Sequence, residues 1–166
     1  MIFIGDIAIP FDISSHLPKL PDCFSGSVIA NLEGAITDTT TGHIQKAKLF
    51  NHPSVLDYLE SLNVKVVSLA NNHILDIHLS PSDTIKRLHN KGIAVCGAGD
   101  SIEEAANPCI LPEDGREVVF LAFGWETIQC VAAKPKRSGV NPLRPNHVLN
   151  SVTAEKKRIR MLLLFC

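Results

Sequence analysis

Short apolar runs rich in β-branched residues alternate with helical patterns along this chain, and that alternation constrains its fold more than any other feature. A run at 64–69 stops abruptly at Asn71, and helical patterns lie on both sides of it, at 53–62 and 80–89. In the first helical pattern Val55, Leu59 and Leu62 fall on one face. Strands that alternate with helices favour a parallel sheet, so the sequence predicts an α/β fold.

Turn and cap signals divide the chain into further predicted elements. Strands are expected at 2–4, 27–30, 64–69 and 93–96. Ser80 is the predicted cap of the second helix, and Ser101 with Glu104 is the predicted cap of a third, short one. Asp114 and Gly115 predict the turn of a hairpin with strands at 109–111 and 117–123. Residues 124–150 are predicted to be mostly loop.

Composition excludes several classes of protein. A length of 166 residues suits one domain or a piece of a larger one, and a net charge of −1 gives no reason to expect a nucleic acid or an anionic membrane as partner. No apolar run reaches the roughly 20 residues of a membrane-spanning helix. The five cysteines form no CxxC pair, which disfavours a disulfide framework or a zinc knuckle. The absence of a secretory signal at the N-terminus predicts a cytoplasmic protein.

The end of the chain differs in character from the rest. A basic stretch from Lys156 is followed by a purely apolar one that ends at Cys166. We therefore predict two parts, an α/β part at 1–150 and a divergent tail at 151–166.

Polar side chains follow three successive predicted strands. Asp6 ends the first, Asn31 and Glu33 end the second, and Asn72 and His73 end the third. Ligands of parallel α/β sheets bind beyond the carboxyl ends of the strands, where these side chains would meet. Carboxylate, amide and imidazole groups together suit Mg²⁺, Mn²⁺, iron or Zn²⁺, so a site for a divalent cation is expected at this edge.

Each of these residues alone also has an ordinary structural interpretation. A carboxylate after a strand, such as Asp6, is often a turn former, and Glu33 alone is more often a solvated loop residue. Asn71 and Asn72 alone are more often turn residues, and His73 alone could be a satisfied core histidine. A dinucleotide-binding turn at 97–99 is disfavoured because it lacks a third glycine. Only the shared sheet edge raises the cation-site hypothesis above these alternatives.

Five segments carry a resemblance to a known family. They lie at 3–6, 31–34, 68–76, 92–99 and 139–143, and the Asn-Leu-Glu-Gly and Ala-Asn-Asn-His-x-Leu-Asp motifs are the most specific. At these residues the chain resembles the CapA family, named for a capsule poly-γ-glutamate synthesis protein, within the calcineurin-like metallophosphoesterase superfamily. The resemblance covers about residues 1–145 and implies a metallophosphatase-like αββα sandwich.

The resemblance also implies roles for individual residues. Asp6, Glu33 and Asn72 would be metal ligands, with Asn31 beside them. His73 would lie at the metals and protonate a leaving oxygen, and we expect Asp76 to orient its ring through a hydrogen bond. The implied cofactors are divalent metal ions (Mn, Fe, Zn or Mg), and the implied substrate is a phosphate-containing or polymer-related molecule.

The chain also departs from the family pattern. The HWGxE-type and GHxPH-type segments that supply later ligands do not occur, and Ala35 stands where proline is common. We therefore expect the sandwich to be truncated to its first half, with an incomplete metal site, no activity as a metal-dependent hydrolase, and self-association through uncovered surface. The alternative function is a non-catalytic interaction or regulatory module that uses the half-sheet as a partner surface. Family membership also leaves the cell envelope open as a location.

Overall fold

The computed structural model of the protein describes residues 1–15, 17, 26–38 and 48–156, together with the backbone of 161–165. The strands are β1 (Ile2–Ile7), β2 (Val28–Leu32), β3 (Ala35–Ile36), β4 (Phe50–Asn51), β5 (Val64–Ser68), β6 (Ala94–Cys96), β7 (Ala98–Gly99), β8 (Cys109–Glu113), β9 (Arg116–Ala122), β10 (Gly139–Val140) and β11 (Met161–Phe165). The α-helices are α1 (Val55–Ser61), α2 (Ser82–Asn90), α3 (Ile102–Ala105) and α4 (Pro145–Lys156), and a short 3₁₀ helix covers Glu126–Ile128.

The main sheet is parallel and has the strand order β1-β2-β5-β6. Helices α1 and α2 cover one of its faces, where Val55, Leu59 and Leu88 join a core with Val67 of β5. These helix residues recur at helical spacing, so each short helix turns one apolar stripe toward the sheet. The α/β class predicted from the sequence is confirmed.

A second sheet covers the other face of the main sheet. Its strand order is β11-β9-β8, with β8 antiparallel and β11 parallel to β9. Ile29 and Val66 from the main sheet pack against Val118 and Phe120 of β9, and all four side chains are fully buried. The two sheets therefore lie face to face with helices outside the first, as in a metallophosphatase-like sandwich.

The hairpin turn between β8 and β9 has the predicted chemistry. Asp114 and Gly115 adopt positive φ angles of 49° and 73°. Two successive residues with positive φ form the type of turn that matches the twist of an antiparallel pair, which explains the Asp-Gly sequence. The prediction of this hairpin is confirmed.

Two local predictions hold in part. Pro81 takes the cap position of α2 without a side-chain hydrogen bond, but the Ser80 hydroxyl accepts from the N–H of Ser82, the first residue of the helix, at 3.1 Å and also donates to Asp100. Most of residues 124–150 lie outside helices and strands, as predicted, but the segment also contains the 3₁₀ helix, β10 and the start of α4. Helix α4 is only weakly amphipathic and has few apolar residues, so its sequence gives little indication of a helix.

The C-terminal region continues the fold. Helix α4 runs across the predicted boundary at residue 150, and β11 pairs in parallel with β9 along its whole length. The division into parts at 1–150 and 151–166 stays a prediction. Within the described ranges, no helix is both long enough and apolar enough to cross a bilayer.

Candidate functional site

The carboxyl ends of three neighbouring strands place polar residues side by side. Asp6 of β1 is in register with Asn31 of β2, and Asn31 is in register with Ser68 of β5. All three positions line one cleft of about 550 Å³. Parallel pairing brings the strand ends to one edge, which is why residues far apart in sequence meet here.

Asn31 connects the two carboxylates of this edge. Its Nδ2 donates to Asp6 Oδ1 at 2.8 Å and to Glu33 Oε1 at 2.7 Å. One amide nitrogen thus holds two acidic groups that would otherwise repel each other. Asn31 therefore lies beside both carboxylates, and its role at a metal stays a prediction.

Glu33 is the carboxylate most affected by its surroundings. Burial raises its pKa, and the neighbouring charge of Asp6 raises it further, while the hydrogen bond from Asn31 opposes both effects. A pKa raised by burial and by like charge means that the Asn31 hydrogen bond and nearby His73 only partly offset the cost of the ionised form. The electrostatics at Glu33 are therefore those of a group that a cation would stabilise.

Asn71 anchors the loop that carries the third group of candidates. Its side chain is 5% exposed. Nδ2 donates to the carbonyl of Leu32 at 2.8 Å, and Oδ1 accepts from the backbone N–H groups of His73 at 3.1 Å and Gly34 at 3.3 Å. Asn71 thus ties the loop after β5 to the end of β2, and it positions the site from outside the group of candidate ligands.

The segment after Glu33 makes a tight turn at Gly34. The φ of Gly34 is +81°, and a Cβ there would overlap the carbonyl oxygen of Leu49. Asn51 supports the same turn, because its buried Nδ2 donates to the carbonyl of Glu33 at 2.8 Å. Sequence reasoning missed Asn51, since an asparagine in an unremarkable short segment gives no signal of its own.

Asn72, His73 and Asp76 form a hydrogen-bonded chain. His73 Nδ1 lies 2.7 Å from Asp76 Oδ2, and Asn72 Nδ2 lies 3.1 Å from His73 Nε2. Because an amide N–H donates to Nε2, the ring carries its proton on Nδ1 and donates it to Asp76. Asp76 also accepts from the backbone N–H of Leu49 at 3.0 Å, so its carboxylate is fixed where it contacts the imidazole. The catalytic roles of His73 and Asp76 stay predictions.

The cleft has a polar side and an apolar side. Asp6, Asn31, Glu33, Asn71 and Asn72 contribute the polar groups. Phe3 from β1 and Ile128 from the 3₁₀ helix face them, and these side chains are 49% and 52% exposed. No pattern in the sequence indicates Ile128 at this site, because the segment of the 3₁₀ helix is predicted as loop.

The donors fit a divalent cation in kind but not in number. Carboxylates and an amide are the oxygen donors that Mg²⁺ and Mn²⁺ prefer. Across the described residues, however, no group of three His, Cys, Asp or Glu side chains comes together as a metal-binding cluster. The assignment of Asp6, Asn31, Glu33, Asn72 and His73 to metal binding stays a prediction.

The parallel sheet, its helix layer and the opposing second sheet define an α/β protein with a metallophosphatase-like fold. The chain matches the family model described as bacterial capsule synthesis protein PGA_cap over residues 12–162 and belongs to that family. The predicted CapA membership is confirmed, and the match extends beyond residue 145, where the resemblance was expected to end. No curated protein matches the chain significantly.

Proposed function

We propose that this capsule synthesis family member acts in the formation of a poly-γ-glutamate or related capsule polymer through a divalent-cation site of metallophosphatase type. The observation that carries the proposal is the pairing of Asp6 and Glu33 on the Asn31 amide at the carboxyl edge of the main sheet. Two carboxylates held together in a cleft are a common basis of a divalent-cation site in hydrolytic proteins.

Asp6, Glu33 and Asn72 would hold the cation. Asn72 lines the cleft, and within the described part of the chain its Oδ1 accepts no hydrogen bond, so it is available as a ligand. When bound, a divalent cation would lower the pKa of a coordinated water and offset the negative charge of a phosphoryl group. Mn, Fe, Zn and Mg all accept this donor set.

His73 is suited to transferring a proton at the same site. Asp76 fixes its Nδ1 side and so orients the ring. A proton on Nε2 would displace the hydrogen bond from the Asn72 amide nitrogen and would be free to transfer to another acceptor. A leaving oxygen of a phosphate ester close to Asn72 would receive this proton.

The number of donors limits what this chain does alone. Two carboxylates and one amide leave coordination positions open, so we expect weak cation binding and negligible turnover. Isothermal titration of Mn²⁺ should show weak binding that Asp6→Ala and Asn72→Ala abolish. Glu103→Ala is a matched control, because it removes an exposed carboxylate of α3.

Turnover provides the second part of the test. Hydrolysis of an activated phosphodiester by this chain with Mn²⁺ should not exceed the rate with the cation alone. Strong Mn²⁺-dependent hydrolysis that His73→Ala removes would contradict the incomplete-site proposal. It would show that the donors of the described residues, or other donors in the chain, are enough to form a catalytically active metal site.

The alternative is a non-catalytic interaction module, and a specific observation favours considering it. Strand β1 lies at an edge of the main sheet, and Phe3 on it is half-exposed. An open parallel edge with an exposed aromatic side chain is a surface on which a partner strand could pair. Absence of Mn²⁺ binding by the intact chain would favour this module over the metal site.

A further inference from the structure

A second cleft, of about 260 Å³, lies on a different part of the molecule. It is bounded by the start of α3, the turn at 134–137 and the start of α4, and it shares no described lining residue with the cleft at Asp6. Ile102, Ala133, Pro135 and Pro142 form its apolar wall, and the other lining residues are Lys134, Arg144 and His147. Its size is below the roughly 300–1,000 Å³ of pockets for drug-sized ligands, so it suits a small molecule.

The segment that forms most of this cleft is basic, whereas the flanking elements carry acidic residues, among them Glu103 of α3 and Glu126. Residues 130–144 contain four basic residues and no acidic one. Lys134 is exposed, and among the described residues it forms no ion pair. A basic concave surface with apolar walls concentrates anions.

The backbone holds Lys134 in place at the cleft. Its N–H donates to the carbonyl of Arg137 at 3.0 Å, and its carbonyl accepts from the N–H of Ile102 at 3.1 Å. The Arg137 guanidinium closes the same turn by donating to the carbonyl of Ala132 at 2.8 Å. Because these bonds exist before any ligand arrives, little backbone ordering would oppose binding.

Arg144 already binds one carboxylate in this structure. Its Nε and one terminal nitrogen each donate to a different oxygen of Glu126 at 2.9 Å. Both side chains are about half exposed, and exposed pairs of this kind are weak. An incoming oxyanion can therefore compete with Glu126 for the same guanidinium donors.

His147 completes the polar part of the cleft. Its Nε2 donates to Asn141 Oδ1 at 2.6 Å, and the buried Asn141 is itself fixed by donating to the carbonyl of Ala122 at 3.0 Å. Its ring also packs edge-on against Phe123, with centroids 6.0 Å apart. The imidazole thus has one fixed orientation, so the NMR signals of its ring should change when a ligand occupies the cleft.

From the cavity, its basic lining and the competing Glu126 carboxylate, we propose that this cleft binds a small oxyanion, a carboxylate or phosphate group carried by a compact apolar body. The oxyanion contacts Lys134 and Arg144, and the apolar body lies against Ile102, Pro135 and Pro142. The site is independent of the metal-site proposal.

The test uses the intact chain with inorganic phosphate and isobutyrate as separate probes at constant ionic strength. Both are followed by the NMR signals of the His147 ring and by calorimetry. Saturable binding is expected for at least one probe, and the tighter one assigns phosphate or carboxylate as the preferred group. Lys134→Ala should weaken binding about tenfold through loss of a charged hydrogen-bond donor. Glu126→Gln should strengthen it, because Arg144 loses its competing carboxylate.

Control variants make the outcomes distinct. Lys136→Ala removes a neighbouring exposed charge that does not line the cleft, and it should leave the affinity unchanged. Asp6→Ala should also leave it unchanged, which separates this site from the metal site. If Lys134→Ala fails to fold by circular dichroism, Lys134→Gln takes its place. Non-saturable shifts with both probes, equal losses in the Lys134 and Lys136 variants, or weaker binding in Glu126→Gln would overturn the proposal.

Discussion

Asn31 donates its side-chain N–H to the Asp6 carboxylate across the β1–β2 pair, at 2.8 Å. The same nitrogen donates to Glu33, two residues further along its own chain segment. A neutral amide therefore compensates for two acidic groups at the place where a cation is proposed. This arrangement makes Asn31 the position at which charge and metal dependence can be tested directly.

Replacing Asn31 with Asp should destabilise the metal-free protein and increase the effect of a cation. A third carboxylate removes the shared donor and adds repulsion, at a cost of about 2 kcal/mol of unfolding free energy. Thermal melting with and without Mn²⁺ should show a larger metal-dependent rise in Tm than in the unmodified chain. Asn31→Ala removes the hydrogen bonds without adding charge, so its metal-dependent rise should be no larger. Equal rises in the two variants would count against a cation at this edge.

The turn after Glu33 should tolerate no side chain. Gly34→Ala introduces a Cβ into the carbonyl of Leu49 at a residue with φ of +81°, whereas Gly92 has φ of +70° and open space around it. Gly92→Ala should cost about 1 kcal/mol from backbone strain alone. Gly34→Ala should cost at least about 2 kcal/mol, because steric overlap is added. Urea unfolding that gives equal losses would show that the Leu49 backbone can move aside.

Asp100 should contribute an acid-sensitive part of the stability. The hydroxyls of Ser80, Ser82 and Ser138 donate to its carboxylate, and these hydrogen bonds lower its pKa. A pKa lowered by folding adds stability above the unfolded value of about 4 and loses it as pH falls through the folded value.

Because Asp100 is exposed and solvent screens its interactions, Asp100→Asn should reduce the free energy of unfolding at pH 7 by less than about 1 kcal/mol and flatten its decline below about pH 4. Asp114→Asn is the matched control, since Asn-Gly suits the hairpin turn equally well. Chemical unfolding of both variants from pH 7 to below about pH 4 tests whether Asp100 contributes this acid-sensitive stability. An Asp100→Asn curve parallel to that of the control would contradict the prediction.

Removal of the last strand should promote association. Strand β11 pairs in parallel with residues 118–122 of β9, so deleting residues 161–166 exposes the backbone edge of β9. Unpaired edges recruit other chains, and sedimentation velocity should show larger species for the deletion variant. Deleting Cys166 alone leaves the paired residues of β11 in place, so the sedimentation profile should be unchanged. Self-association of the intact chain stays a separate prediction.

Local signals in the sequence predicted some elements well. The hydroxyl of Ser101 accepts from the N–H of Glu104 at 3.3 Å, as a helix cap does, and the Asp-Gly turn forms the hairpin. In both cases the donor, the acceptor or the required φ belongs to residues close in sequence. Ser80 shows the limit of such signals, because its hydroxyl accepts from the N–H of nearby Ser82 but also donates to distant Asp100, which the local pattern does not indicate.

The candidate site likewise contains some residues that the sequence indicated and others that it did not. Its motif residues were visible in the sequence, and parallel-sheet topology was enough to expect that Asp6, Asn31 and Glu33 would meet. Asn51 and Ile128 were not visible, because each reaches the site through contacts with segments remote in the chain. The sequence of a short segment with no periodicity does not indicate which distant residues the segment contacts.

By itself, the sequence determined the alternation of strands and helices, the tight turns and the chemical types of group at the strand ends. These depend on side-chain periodicity and backbone preference within a few residues. Only the tertiary structure decided that one Asn31 nitrogen serves two carboxylates, that Asn71 ties two loops together, and that β11 completes the second sheet. Those relationships are distances between segments far apart in the chain, and folding sets them through the packing of the two sheets and the helices as a whole.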